Sequence, residues 1–259
     1  MPVERTTAVV IGGFPLGESD RVVTFFTRRF GKVRGVAKAA RRIRSKFAGA
    51  LELFTLGELV FFDGGRSELV QVDHFDIVRP FGAIRDDLER LGHAAWMAEG
   101  VARLTAERDA QPALFTLLAR ALAAVDDGAP PSRVAVVFGV RLVDLLGHRL
   151  RTDRCVLCGR SVGAGAGRIG LDVDAGGTVC ATCVRAVGGA LPVDPKTIVA
   201  LTRLRSVAWA QALGTTLGAA ESELRTVLDA QLARLAGHGS RATRFLREVS
   251  RGLRVSEVT

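Results

Sequence analysis

From Thr6 to Val78 the pattern of apolar and polar positions is that of β-strands, with a two-residue period in Lys32–Lys38. Five stretches rich in Val, Ile, Phe and Thr stand out at residues 7–14, 21–27, 32–38, 51–62 and 69–78. Turn signals divide them at Pro15-Leu16-Gly17, Phe30-Gly31 and Asp63-Gly64-Gly65. Five strands in about 80 residues, with a polar loop in the middle, predict a small closed β-barrel of the OB type. Beyond Pro80 the period lengthens to three and four. Leu- and Ala-rich segments at 83–107, 112–126 and 132–147 read as helices, and so do 195–213, 220–236 and 240–252. In 132–147 the stripe Val134, Val137, Phe138, Leu142, Leu145 and Leu146 marks a core-facing side. Ser132 is the expected cap of that helix after Pro130-Pro131, and Asp127-Gly128 ends the one before it. Asp194-Pro195 opens the later helices. The fold class expected is α+β: an N-terminal five-stranded OB-type β-barrel, then an all-α domain carrying a small four-cysteine zinc-binding insert. The expected boundaries are 1–80 for the barrel, 81–151 plus 190–259 for the helices, and 152–189 for the insert.

Charge sharpens this picture. The 259 residues carry a net +9. Arg outnumbers Lys 32 to 4 with no Asn or Tyr, so the choice of Arg reflects coding bias more than function. The distribution is more telling. Residues 1–50 hold eleven basic groups against three acidic ones, a net +8 in a fifth of the chain. Such a block suits a polyanion, and nucleic acid is the commonest inside a cell. Lys32, Arg34 and Lys38 share one face of the third predicted strand. Arg41, Arg42, Arg44 and Lys46 continue the charge into a loop, and Arg21 lies on the neighbouring strand. These eight residues are the candidate DNA contacts. Nine of the 13 Phe lie in the first 75 residues. In the pairs Phe25-Phe26 and Phe61-Phe62 one member faces out, to stack on bases or to dock helices.

All four cysteines fall in two C-x2-C pairs, Cys155/Cys158 and Cys180/Cys183. Two thiolates three positions apart bite one metal from a tight turn, and two such turns complete a tetrahedral site. Gly159 allows the first turn. One structural Zn2+ per chain is expected; a dithiol redox pair, buried thiols and an iron–sulfur cluster are the alternatives. His74 and His148 read as ordinary polar residues. No phosphate loop, G-x-S-x-G or H-E-x-x-H motif occurs, and K-x-D-G of nucleotide-activating ligases is absent too. Asp86-Asp87, Asp126-Asp127 and Asp172/Asp174 read as caps and turns rather than Mg2+ ligands. No apolar run approaches the roughly 18 residues of a bilayer span, and Met1-Pro2-Val3-Glu4-Arg5 has no signal-peptide pattern, so a soluble intracellular protein is expected.

Gly17-Glu18-Ser19-Asp20-Arg21, Phe26-Thr27-Arg28, Phe30-Gly31-Lys32 and Val36-Ala37-Lys38 resemble the bacterial recombination mediator and DNA repair family RecO. So do Arg41, Ser45-Lys46-Phe47, Gly49-Ala50-Leu51 and Phe54. Arg85-Asp86-Asp87-Leu88, the Cys pairs, and Ser240-Arg241 with Phe245-Leu246 extend the likeness along the chain. Members usually carry Gly where Ala39 stands, and only part of the family has the Cys cluster. The resemblance implies a cytoplasmic, nucleoid-associated binding protein rather than an enzyme. It would bind single- and double-stranded DNA, anneal complementary strands, and work with RecR to load RecA onto DNA coated by single-strand-binding protein. It also implies a helical receptor for the acidic C-terminal tail of that coating protein, for which Arg203, Arg205, Arg241, Arg244 and Arg247 are the candidates; an ordinary amphipathic helix with its arginines in water is the alternative. A zinc-dependent regulator that reads one duplex sequence is the competing expectation.

Overall fold

A computed structural model describes residues 2–65, 67–162, 169–185 and 188–256, with the backbone alone described from 250 on. It divides into two compact units, Met1–Gly128 and Ala129–Thr259. In the first, β1 (Val3–Leu16), β2 (Asp20–Thr27), β3 (Gly31–Ala37), β4 (Leu56–Phe62) and β5 (Leu69–Arg79) close a barrel in the order β1-β2-β3-β5-β4. All pairings are antiparallel except β3 with β5, and β4 returns to β1. This is the expected OB-type barrel. The inward positions of the two-residue period, among them Val10, Val23, Phe25, Val33, Leu59, Phe61 and Phe75, fill its interior. Each such large side chain contributes about 1.5–3 kcal/mol by leaving water. The barrel is narrow: a Cβ on Gly57 would stand 2.4 Å from the Asp76 carbonyl oxygen.

Residues 51–55 are not strand, as the pattern had suggested. Residues 38–55 run as successive turns, and Phe47, Ala50 and Leu51 pack into the barrel interior from them. Their spacing is that of a helical turn, whereas their composition reads as β. Phe54 turns the chain back with φ +71°, and its N–H donates to the Val10 carbonyl at 2.8 Å.

Three helices complete this unit: α1 (Gly82–Arg85), α2 (Leu88–Leu104) and α3 (Pro112–Asp126). The expected helix 83–107 is split because Asp87 caps α2, its carboxylate accepting from the Arg90 N–H at 2.8 Å. Phe26, the outward member of its pair, is wholly buried, with its ring 6.3 Å from that of Phe115 on α3. It docks a helix and has no face left for a base. Asp126 and Asp127 at the end of α3 pair with Arg79, and Gly128 follows with φ +93°.

The second unit holds α4 (Pro131–Leu145), β6 (Ile169–Asp172), β7 (Gly177–Val179), β8 (Leu191–Val193), α5 (Pro195–Ser206), α6 (Trp209–Gly214), α7 (Ala219–Ala236) and α8 (Arg241–Ser256). The α4 stripe is buried as expected through Leu142, but Leu145 is exposed. Ser132 is not its cap: Pro130 holds that position, and the Ser132 hydroxyl bonds Glu221 of α7 beside the Arg133 guanidinium, 2.6 Å from the same carboxylate. Asp194 does cap α5, accepting from the Lys196 N–H at 2.8 Å. The expected helix 195–213 is interrupted at Val207, whose carbonyl accepts from Arg141 at 2.7 Å. The sheet β7-β6-β8 was not anticipated, since strands of three or four residues are too short to show a period.

Candidate nucleic-acid surface and metal centre

The basic loop is built on the turn between β1 and β2. The Asp20 carboxylate accepts from the Ala39 N–H at 2.8 Å and from the Ser19 hydroxyl at 3.0 Å. The Ala39 N–H, then Ser19, hold the Asp20 carboxyl below its ordinary value. The Arg41 N–H donates to the Ser19 carbonyl at 2.9 Å, and its guanidinium reaches the Gly17 and Glu18 carbonyls at 3.0 and 3.2 Å. Ala39 sits at φ +54°, a left-handed conformation that Gly adopts without cost.

The eight candidate DNA contacts do not share one environment. Lys38, Arg41, Arg42, Arg44 and Lys46 are exposed and Arg21 is half-buried. Lys38, Arg42 and Arg44 make no ion pair among the described residues, whereas Lys46 lies 3.4 Å from Asp73. Lys32 points the other way. Its ammonium donates to the Ala102 and Thr105 carbonyls at 2.7 and 2.9 Å, at the C-terminal end of α2, and lies 3.5 Å from Glu107 with 14% of the side chain exposed. There it satisfies carbonyls that a helix end leaves unpaired. Arg34 pairs with Glu68 at 2.9 Å and Glu107 at 3.5 Å. The strand period placed Lys32 and Arg34 on one face correctly, but it could not show the carboxylates waiting there.

The four cysteines converge. Their sulfurs all lie within 4.8 Å of one another, with those of Cys158 and Cys180 at 3.7 Å. Four sulfurs bound tetrahedrally at about 2.3 Å stand about 3.8 Å apart, so the set fits one divalent metal. Each pair forms a tight turn: the Gly159 N–H donates to the Cys155 carbonyl, and that of Val184 to the Cys180 carbonyl, both at 2.9 Å. Gly159 has φ +73°, as the turn requires. Burial pushes the Cys155 thiol up, but N–H groups of Cys180, Cys158 and Leu157 outweigh it and hold it at about 6. Hydrogen bonds to Cys158 and Cys180 instead push Cys183 up to about 12. Four crowded sulfurs oppose full ionisation; a cation among them reverses that. Val179, Val156, Val162, Val184 and Ala190 pack around the cysteines. The acidic pairs serve turns and caps as expected, Asp172 accepting from the Asp174 and Ala175 N–H groups at 2.9 Å. His74 lies 2.8 Å from Asp76. Arg151, Arg154, Arg160 and Arg185 lie in the segments around the cysteine turns, all exposed and without an ion pair among the described residues. A charge count weighted to residues 1–50 passed over them.

Of the candidate tail contacts, Arg203 on α5 and Arg241, Arg244 and Arg247 on α8 are exposed. Arg205 is not: 5% of its side chain is exposed, and it pairs with Asp144 at 3.0 Å and donates to the Leu150 carbonyl. Burial lowers its affinity for a proton and raises that of Asp144. Trp209 is buried with the Arg141 guanidinium 5.5 Å over its ring. Among the described residues no helix is long and apolar enough to cross a membrane.

Residues 1–81 match the family model described as recombination protein O N terminal, and residues 85–243 the one described as recombination protein O C terminal. The chain is 37% identical over 246 residues to a DNA repair protein RecO of Anaeromyxobacter sp. (strain K), covering 95% of this chain and 96% of that protein. It is 40% identical over 187 residues to a protein of that name from Frankia casuarinae, covering 71% and 74%. It is 38% identical over 188 residues to one from Geobacter metallireducens, again covering 71% and 74%.

Proposed function

Because the chain belongs to the RecO family of recombination proteins, we propose that it is a DNA-binding recombination mediator whose barrel loop neutralises phosphates of single and double strands. The observation that carries this reading is the loop of residues 38–46. Its cations stand in solvent, four of them, Lys38, Arg41, Arg42 and Arg44, without an ion pair among the described residues, on a backbone fixed to the β1–β2 turn. Neutralising phosphates releases counterions, and this term gives sequence-independent binding. Annealing two polyanions needs no more than such a surface, and no covalent bond is made or broken. Lys38, Arg41, Arg42, Arg44, Lys46 and Arg21 contact phosphates in this reading, while Lys32 and Arg34 stand behind them as supports. RecR, RecA and single-strand-binding protein are its partners. The tail of that last protein meets Arg203, Arg241, Arg244 and Arg247, with Arg205 held back in its pair with Asp144. The metal is zinc, one per chain, in a structural role, because four thiolates leave no open position.

The test is the salt dependence of DNA affinity. Replacing Arg41, Arg42 and Arg44 by Ala should flatten the log–log slope by about 0.7–0.9 per lost contact. An unchanged slope in a folded variant removes this loop from the site. An excess of unrelated DNA should compete fully; failure to compete would favour a sequence-specific regulator. An acidic tail peptide should lose affinity severalfold on Arg244→Glu while bare DNA binds as before.

A further inference from the structure

We propose that Phe14, Leu16 and Ile43 form a subsite for unpaired nucleobases at the end of the barrel where the basic loop is anchored. The proposal rests on the nucleic-acid reading of that loop and names what lies between the phosphates. Apart from Phe62, which is half-buried, the barrel's other aromatic rings are committed. Phe25, Phe26, Phe54 and Phe61 are fully buried, and Phe47 and Phe75 nearly so. Phe30 packs edge-on against Phe61. Phe14 alone among them is more than half exposed, at 54%.

The exposure follows from the strands. After the bulge between Val10 and Gly12, β1 continues past the buried part of the barrel, pairing Phe14 with Val22 and Leu16 with Asp20. Phe14 and Leu16 are two residues apart, so both point to the same face of this hairpin. Leu16 is 41% exposed. Arg21 pairs with Pro15, so its side chain lies on the other face of the hairpin, its Nε 3.4 Å from where a Cβ on Gly13 would be.

Ile43 comes from the loop. It is wholly exposed, at 101%, and is flanked by Arg42 and Arg44. It is not on a loose strand end. The Arg42 N–H donates to the Ala39 carbonyl at 3.2 Å, the Ser45 N–H to the Arg42 carbonyl at 3.0 Å, and Arg41 binds the hairpin turn. The bonds from Asp20 and Arg41 therefore hold the Ile43 loop against the Phe14 hairpin.

Three large apolar side chains held in water beside Arg41, Arg42 and Arg44 need an occupant that is both anionic and apolar. Charge complementarity commits it to single-stranded nucleic acid. Cations that hold its phosphates leave its bases beside them, and a base face stacks on Phe or packs on Ile and Leu without sequence preference. In a duplex those faces are already stacked inside. The subsite thus favours unpaired strands, whereas the arginines favour any strand.

The experiment uses the full chain with Phe14→Ser/Ile43→Ser, checked for an unchanged melting temperature, and three probes: a single strand, the same strand without bases, and a duplex. Affinity for the based strand should fall about tenfold, the scale of one lost stacking contact. The salt slope should not change, because no charge was removed. Abasic and duplex affinities should hold within about twofold. Phe14→Trp should keep the affinity, and its added fluorescence should be quenched by the based strand alone. Equal losses on the based and abasic strands, or no loss on either, overturn the proposal. So does a change confined to self-association. An unchanged salt slope in the Arg41/Arg42/Arg44 variant would instead sink the nucleic-acid reading beneath it, so the two failures are separable.

Discussion

Ala39 and Asp20 concentrate the site's construction into two residues. An L-residue in the left-handed region costs roughly 1–2 kcal/mol, and Gly returns part of that gain as backbone entropy. Ala39→Gly should therefore stabilise the protein by up to about 1 kcal/mol in urea unfolding, with DNA affinity unchanged. Asp20→Ala separates two effects of opposite sign. Removing a negative charge beside Lys38 and Arg42 would tighten DNA binding; releasing the loop from its Ala39 bond should weaken it. We expect weakening, read as a higher Kd at fixed salt. The Asp20 carboxyl is depressed by the Ala39 N–H and Ser19 hydroxyl bonds. Its contribution to stability is thus present above the ordinary carboxylate value of about 4 and fades as pH falls through its lower folded value. Asp20→Asn should flatten stability against pH in that acid range. The residues of this turn were visible in the sequence as a family likeness. Their work was not, because a hydrogen bond spanning 19 positions leaves no periodic trace.

Elements show the same division between what a pattern carries and what packing decides. Five strands follow from their Val, Ile, Phe and Thr content between turn signals, and the helices from their apolar stripes, though not every cap or break. The pattern could not say which way the outer Phe of a pair would be used, since stacking and docking both need an outward ring. Phe26 against Phe115 settles it. Phe26→Leu should cost about 1–2 kcal/mol of stability, less than the roughly 3–5 of a Phe→Ala cut, and leave the salt slope of DNA binding alone. In the second unit, spacing picked out the four cysteines whose sulfurs converge but missed β6, β7 and β8, which are too short to be periodic. Those strands pack beside a core made of cysteines and five small apolar residues, which has little to hold it without metal. Chelation, or Cys180→Ser, should release one zinc per chain and speed amide exchange in residues 152–162, 169–185 and 188–193. Exchange in β1 to β5 should not change.

At the scale of the molecule, the charge asymmetry could not show that Lys32 and Arg34 are held by α2 and its following loop. Those contacts join the barrel to helices that the family models assign to the C-terminal part. A piece ending at residue 81 would bare Phe26 and leave Lys32 without its carbonyls. A piece of residues 1–128 keeps both. The longer piece should melt cooperatively and bind DNA with a steep salt slope, whereas the shorter should aggregate or melt without a transition; equal behaviour would show the helices to be dispensable.

Gly31 carries this dependence furthest. Its φ is +62°, a Cβ there would fall 1.9 Å from the Asp109 carbonyl oxygen, and the Arg108 N–H donates to the neighbouring Lys32 carbonyl at 2.9 Å. A chain emerging from the ribosome presents β1 to β5 first, yet the segment that clamps β3 is made about thirty residues after β5 ends. The barrel's outer apolar face stays bare through that interval of translation. A pause in synthesis between residues 80 and 110 would prolong the exposure, whereas one after residue 128 would let a finished unit fold before the rest arrives.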